Sequence, residues 1–555
     1  MRKTLSLILG IVMIVSMFSV GVFAAEGTAI NNAEEFKNMA ADGNYYLAAD
    51  ITVDETYEPD FTGTLDGNGK TVTVSAPMFK QMNGTVKNLT VVGSVTADAG
   101  NLGAVAITST NGTFDTVTNK ATVEHILANG DACVGGICGK VTSAASTFIN
   151  CVNEGNITGP EATGGICGEA QKLDVTFDNC YNKGNITSGC NDSGVAAGGI
   201  IGYSGTDRIV IKNCTNDGTI TSGFRAGGIQ GDARKSAIVT NCVNNGTVKG
   251  DNVSAGIVGY SGDSGINYGM TITNCINNGE ITGTGGGTGG VAGILGYAWA
   301  SNSDDIKATK IENCINNGNL NLVTKGFASE FVAYTNSQYT VIKNCIGSGK
   351  INATGDAAEL FLCIVGLSNS DIALYTIENV FIADGGATTL LSWAKDEANI
   401  RNRVPLSHAL GKNLSGAVVD FEGNQRTIAE SNIKAITRGE LNSAMINQAN
   451  GGAGSVMFAL KDGKAVFASA KVGYTSSTEP VTPPTTDPVT PPTTDPVTPP
   501  TTDPVTPPTT DPVTPPTTEP AGPVTGDNAY IVVIALAVAA VAGTACFFVR
   551  KKVTD

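Results

Sequence analysis

Three stretches of the chain set an aromatic ring beside acidic or hydroxyl side chains. They read Tyr203-Ser204-Gly205-Thr206-Asp207, Tyr260-Ser261-Gly262-Asp263 and Tyr297-Ala298-Trp299-Ala300-Ser301-Asn302-Ser303-Asp304-Asp305. Rings stack on the apolar faces of sugars, and carboxylates accept hydrogen bonds from hydroxyls, so the combination suits glycan binding. Tyr203, Asp207, Tyr260, Asp263, Tyr297, Trp299, Asp304 and Asp305 are therefore the candidate ligand-binding residues. The alternative is that each tyrosine packs over its own turn and the acids are solvated. Other chemistry finds less to work with. A Ser-His-Asp or Cys-His set needs histidine. The only two, His125 and His408, have neighbourhoods that suggest surface or cap positions. A glycosidase needs two carboxylates facing one sugar bond, and no acidic column recurs. There is no C-x-x-C pair. No catalytic residue, metal or cofactor is assigned.

Each aromatic stretch follows a glycine phrase, Gly-Gly-Ile-Cys-Gly at Gly135 to Gly139, with relatives ending at Gly168, Gly202, Gly231, Gly259 and Gly296. The stretches therefore share one repeat position and should lie on one side of the molecule. They are expected as ligand-facing loops outside the core. In the coil between the first two, Asp232 takes the place of tyrosine.

A second phrase alternates with the first. Asn150-Cys151-Val152-Asn153-Glu154-Gly155-Asn156-Ile157 returns with its Asn-Cys pair at Cys180, Cys214, Cys242, Cys275, Cys314 and Cys345. The step averages about 32 residues, in the range of solenoids and arrays. The Cys, the Asn two later, the Gly four later and the apolar residue six later (Ile157, Ile186, Ile220, Val248, Ile281, Leu320, Ile351) are evenly spaced. Side chains at even spacing on a strand share a face, read here as inward. An apolar residue three before each Cys (Phe148, Phe177, Ile211, Val239, Ile272, Ile311, Ile342) breaks that parity. A corner or bulge is expected between it and the Cys. One copy cannot bury its own apolar residues, but stacked copies can. The expected fold is all-β, a parallel β-helix with like residue over like. The Asn residues should then form an amide ladder, since each amide both donates and accepts.

The pattern resembles the right-handed β-helix repeats called GLUG repeats, found in bacterial surface proteins, over residues 114 to 351. The resemblance implies a fold rather than an activity. Polysaccharide lyases that share the fold class use acidic calcium ligands with a basic Arg or Lys, and no cluster of that kind stands out here.

Thirteen cysteines would suggest disulfides in a secreted chain. Seven share one slot, however, and Leu89, Val117 and Val380 replace them in degenerate copies. That interchange marks the thiol as a small hydrophobe. Cys138 and Cys167 share another slot on adjacent coils, which leaves pairing open. Net charge is −16, and without Lys and Arg clusters the chain is not suited to nucleic acid.

Met1 to Ala24 reads as a signal peptide, with Arg2 and Lys3, an apolar run and Val22-Phe23-Ala24; an uncleaved anchor is the alternative. Residues 25–383 are the β-helix and its N-terminal cap. The cap is a short helix opened by the capping pattern Asn32-Ala33-Glu34-Glu35. Residues 384–474 read as a C-terminal cap or small α+β appendage. They contain a second capping pattern, Thr437-Arg438-Gly439-Glu440, and a hairpin around Asp462-Gly463. Residues 475–521 are a Pro/Thr-rich stalk built on repeats of Pro-Val-Thr-Pro-Pro-Thr-Thr-Asp, extended and semi-rigid. Residues 522–555 hold Gly522-Pro523-Val524-Thr525-Gly526, an apolar run over 530–549 and Arg550-Lys551-Lys552. This tail resembles the L-P-x-T-G sorting signal of Gram-positive bacteria. Pro523, Thr525 and Gly526 match it, and Gly522 replaces its leucine. The resemblance implies a sortase that joins Thr525 to peptidoglycan. A plain membrane anchor through 530–549 is the alternative.

The expected product is a monomeric, extracellular, tethered surface protein: an adhesin or binding protein for a glycan or a host or matrix surface. The competing classes are a scaffold without a ligand and a carbohydrate-active enzyme, lyase or glycosidase.

Overall fold

The computed structural model describes residues 26–476, apart from internal segments of which the longer include 190–193, 206–208, 263–268, 284–289, 300–308, 355–359, 368–373, 396–399 and 406–409. Residues 1–25 and 477–555, with the signal, stalk and sorting segments expected there, lie outside the described residues. Among the described residues, no helix is long and apolar enough to cross a membrane.

One coil uses five short strands, as at 147–149, 152–153, 157–159, 162–164 and 167–170. Each strand pairs in parallel with its counterpart in the next coil: Phe148 with Phe177, Asn153 with Asn182, Ile157 with Ile186, Cys167 with Ile201. The stack merges into two large parallel sheets, so the chain is a parallel β-solenoid. The inward reading holds. Cys151, Asn153 and Ile157 are fully buried, as are their counterparts from Cys180 to Cys314. Phe114, Phe148 and Phe177 lie ring over ring with centroids 4.7 and 4.8 Å apart, matching the strand spacing.

The expected corner is an asparagine. The residue just before the Cys slot has a φ of 51–56° at Asn88, Asn150, Asn179, Asn213, Asn241, Asn274, Asn313, Asn344 and Asn379. Asparagine tolerates this left-handed region better than other residues with a Cβ. The turn it makes brings the residue at minus three and the Cys onto the same interior.

Inside, the second asparagine of the phrase forms the amide ladder. Asn119, Asn153, Asn182, Asn216, Asn244 and Asn277 each donate through Nδ2 to the Oδ1 of the next asparagine at 2.7–2.8 Å, ending at Asn316. The glycine phrase leaves room for them. A Cβ on Gly228 would stand 2.4 Å from Asn244 Cγ. One coil inverts the arrangement. Glu330 stands where earlier coils have that glycine, and Gly347 stands where they have the asparagine. Asn316 Nδ2 donates to Glu330 Oε2 at 2.6 Å, so the ladder ends on a buried carboxyl.

The seven cysteines form one buried column of free thiols, and Cys138 and Cys167 are also free, as register partners. Burial pushes the thiols of Cys151, Cys214, Cys275 and Cys345 well above their ordinary range.

At the N-terminal end, helix α1 (Ala33–Lys37) begins at Asn32, whose side chain accepts from Glu35 N–H. It drives Phe36 against Tyr57 and Phe79 over the open end of the core. At the other end the solenoid runs past 383. Asn432–Gly439 stacks in parallel on Leu374–Ala383, with Ile436 opposite Val380 in the cysteine column. The helix expected from Thr437 instead starts at Asn442. Helix α2 spans Ser443–Ala453, because Thr437 to Gly439 are used as a rung. The Asp462-Gly463 hairpin pairs Phe458–Lys461 with Lys464–Phe467.

From α2 onward the chain folds back along the outside of the stack. Met445, Ile446, Phe458 and Ala465 pack on outward side chains one after the Cys slot, among them Val243, Ile276, Ile315, Ile346 and Phe381. This strap seals an apolar stripe on the flank of the solenoid rather than covering its end.

Candidate functional site

The aromatic residues that follow the glycine phrase lie on strands. Ile201–Ser204, Val258–Gly262 and Leu295–Trp299 carry Tyr203, Tyr260, Tyr297 and Trp299. This corrects the expectation that they sit in loops outside the core. The parallel register lines up Lys140, Glu169, Tyr203, Asp232, Tyr260, Tyr297 and Tyr334 as one column on the outer face. Tyr260 is 5% exposed and Tyr297 7%. Their rings stack at 4.9 Å, and Tyr334 continues the row at 4.9 Å. Tyr203 and Trp299 are half-buried, with Trp299 6.1 Å from Tyr297. Stacking covers the faces of Tyr260 and Tyr297, so they support the surface more than they present it.

A second row explains their burial. The residue seven before each column member sits across the bend made by the glycine phrase. There Arg225 faces Asp232, Val253 packs with Tyr260, and Phe327 lies 5.1 Å from Tyr334. Asp232 is fully buried and holds two guanidinium groups, Arg225 through NH1 and Arg234 through Nε at 3.0 Å. Arg225 lies over the Tyr260 ring at 3.9 Å; Arg234 is 5.3 Å from Tyr260 and 5.8 Å from Tyr203. These are cation–π distances. Burial raises the phenol ionisation of Tyr297 and Tyr334, keeping both neutral hydroxyls at ordinary pH.

At the N-terminal end of the column Lys140 pairs with Glu169 at 2.7 Å, and the Cys133 thiol donates to Glu169 at 2.7 Å. Burial, with Glu169 beside it, pushes that thiol far up, so Cys133 is a neutral donor rather than a nucleophile. His125 stands apart. It is 5% exposed, not at the surface, and its Nδ1 lies 3.2 Å from the Leu127 carbonyl.

Asp207, Asp263, Asp304, Asp305 and His408 lie outside the described residues, as do Pro523, Thr525 and Gly526. The structure thus joins the four aromatic candidates in one patch. It adds Tyr334, Arg225, Asp232 and Arg234, which the reading of the sequence left out. Tyr334 follows Ala333, which replaces the last glycine of the phrase, and so its repeat position was hidden.

The fold and this column define a parallel β-solenoid with an aromatic and arginine face. No family model matches the chain, and no curated protein does. Among solved structures, it is similar to a Bacteroides ovatus protein provisionally assigned as an immunoglobulin A1 protease. The identity is 14%, the TM-score 0.27, and the match covers 80% of this chain and 93% of that one. The functional reading below rests on the chain's own residues.

Proposed function

We propose that the chain is a surface-displayed binding protein that recognises glycan, on a host cell, matrix or other surface, through the column around Tyr203 and Trp299. The observation that carries this reading is the half-buried pair of rings, Tyr203 and Trp299, flanking Arg234 on a rigid sheet face. Rings accept the C–H faces of sugars, and a guanidinium donates to hydroxyl or carboxylate oxygens. Asp207, Asp263, Asp304 and Asp305 would supply acceptors from the adjoining segments.

Display belongs to the same proposal. The signal-like start and the Pro523, Thr525, Gly526 motif support an extracellular chain held to peptidoglycan by a sortase, or to the membrane by 530–549 if it is not processed. The right-handed sense of the coils follows from the strong preference of parallel crossover connections. An array of glycans and matrix proteins tests the reading. Trp299→Ala and Tyr203→Ala should abolish binding to whatever the wild type selects while the protein stays folded. Normal binding by both variants would overturn it.

A further inference from the structure

The last described residues of the strap occupy a groove that continues beyond them. Gly473 N–H donates to the Asn241 carbonyl at 2.7 Å, and Tyr474 N–H to Thr215 Oγ1 at 2.8 Å. Asn179 then brackets Thr475. Its Oδ1 accepts from Thr475 N–H at 2.8 Å, and its Nδ2 donates to the Thr475 carbonyl at 3.0 Å. The strap therefore descends the stack one rung after another toward the N-terminal coils. It reads two columns, the left-handed corner and the residue after the Cys slot.

Those two columns continue below Asn179. The next corners are Asn150, Thr116, Asn88 and Asn68, all at positive φ. Over the lowest of these rungs lies a cavity of about 870 Å³, lined by Asp66, Asn68, Asn88, Thr90, Thr116 and Thr118 among others. It is polar where the upper groove is apolar. Lys87, also in its lining, is paired with Asp66 at 3.3 Å and its side chain is 40% exposed.

Length and chemistry name the occupant. From Asn179 down to Asn68 is four rungs, ~19 Å at the strand spacing. Six extended residues cover that distance at ~3.3 Å each, which takes the chain from Thr475 to Val481. The first compact unit of the chain ends at Val481. Ser477, Thr478 and Glu479 keep their backbone N–H groups for brackets like that at Thr475, and Glu479 falls at the rung of Lys87. Pro480 has no N–H, and prolines recur from there on, so bracketing stops where the groove does. We propose that residues Ser477–Val481 of this chain continue the strap into the cavity between Thr116 and Asn68, so that the Pro/Thr segment starts from the first coils.

The experiment uses the full chain with a thiol introduced by Thr118→Cys, its labelling by a maleimide followed peptide by peptide. Replacing Ser477–Val481 by five glycines should speed labelling about tenfold, the opening expected when a covering segment is lost. A second, independent arm places Thr478→Cys with Thr118→Cys, or with Glu124→Cys on another face of the same coil, under mild oxidant. Disulfide should form with the first partner in large excess. Equal labelling in both chains, or equal cross-linking to both partners, would overturn the proposal. Slow labelling that persists in the glycine chain would mean another occupant and overturn it equally.

Discussion

Asn244→Leu removes one rung of the amide ladder while keeping the branching of the side chain. Asn244 Nδ2 donates to the Gly246 carbonyl at 2.9 Å and to Asn277 Oδ1 at 2.8 Å, and its Oδ1 accepts from Asn216 Nδ2 at 2.8 Å. All three bonds are buried, and each contributes about 1 kcal/mol net, more when a partner is left unsatisfied. Two partners keep other bonds. Asn216 still reaches the Gly218 carbonyl, and Asn277 Oδ1 still accepts from Gly279 N–H. The expected loss is therefore about 3 kcal/mol. Asn244→Asp is the informative companion. Its first oxygen can still accept from Asn216, but the second faces the Gly246 carbonyl and Asn277 Oδ1, two acceptors. At neutral pH the aspartate should be less stable than the leucine, although it is closer in shape. Urea unfolding gives the order, and hydrogen exchange in the coils of Cys214 and Cys275 locates the loss, since repeat stacks open locally. An unchanged midpoint for Asn244→Leu, or an aspartate variant as stable as wild type, would refute the ladder as a source of stability.

Burial raises the Glu330 carboxyl to about 8. The folded state then keeps a proton that the unfolded chain releases, so stability falls as pH rises from about 4.5 to about 8. Glu330→Gln should flatten that slope, by on the order of a few kcal/mol at its upper end; an unchanged pH profile would show that Glu330 does not hold that proton. The seven column cysteines should resist a thiol reagent in the native protein and react on unfolding, with mass spectrometry assigning the sites. Tyr260→Ala should cost about 3–5 kcal/mol as a buried aromatic truncation, whereas Trp299→Ala should leave the urea midpoint nearly unchanged. Equal midpoints for the two would mean that the Tyr260 stack does not support the face.

The repeat was legible because parallel stacking leaves a strict trace. Cys151, Asn153, Gly155 and Ile157 recur at even spacing because strand side chains alternate. The break in parity at Phe148 pointed to the left-handed corner, now seen at Asn150. The aromatic face was legible only in part. A tyrosine after glycine reads as a loop, but Tyr203, Tyr260 and Tyr297 each pair in register with neighbouring coils, and that pairing extends the strands through them. The strap was not legible as one. Ile276, Ile315 and Ile346 look like ordinary outward strand residues, and nothing local says that Met445 and Ile446 return to cover them. Such contacts join residues more than a hundred positions apart, beyond any periodicity.

Asp232 seemed to interrupt the aromatic row, and in the structure it completes it. A tyrosine there would stack its ring between Tyr203 and Tyr260. Asp232 instead anchors two guanidinium planes, and these meet the neighbouring rings, Arg225 over Tyr260 and Arg234 between Tyr260 and Tyr203. The buried carboxylate makes the arrangement affordable, since two desolvated cations without it would repel. Arg234 is thereby held near the surface with its side chain 23% exposed. The result is a row of flat groups that includes one positive charge at its centre, on a chain whose net charge is −16. A ligand drawn to that point is attracted by local structure against the field of the whole molecule, so its affinity should depend on fit to the rings more than on long-range charge.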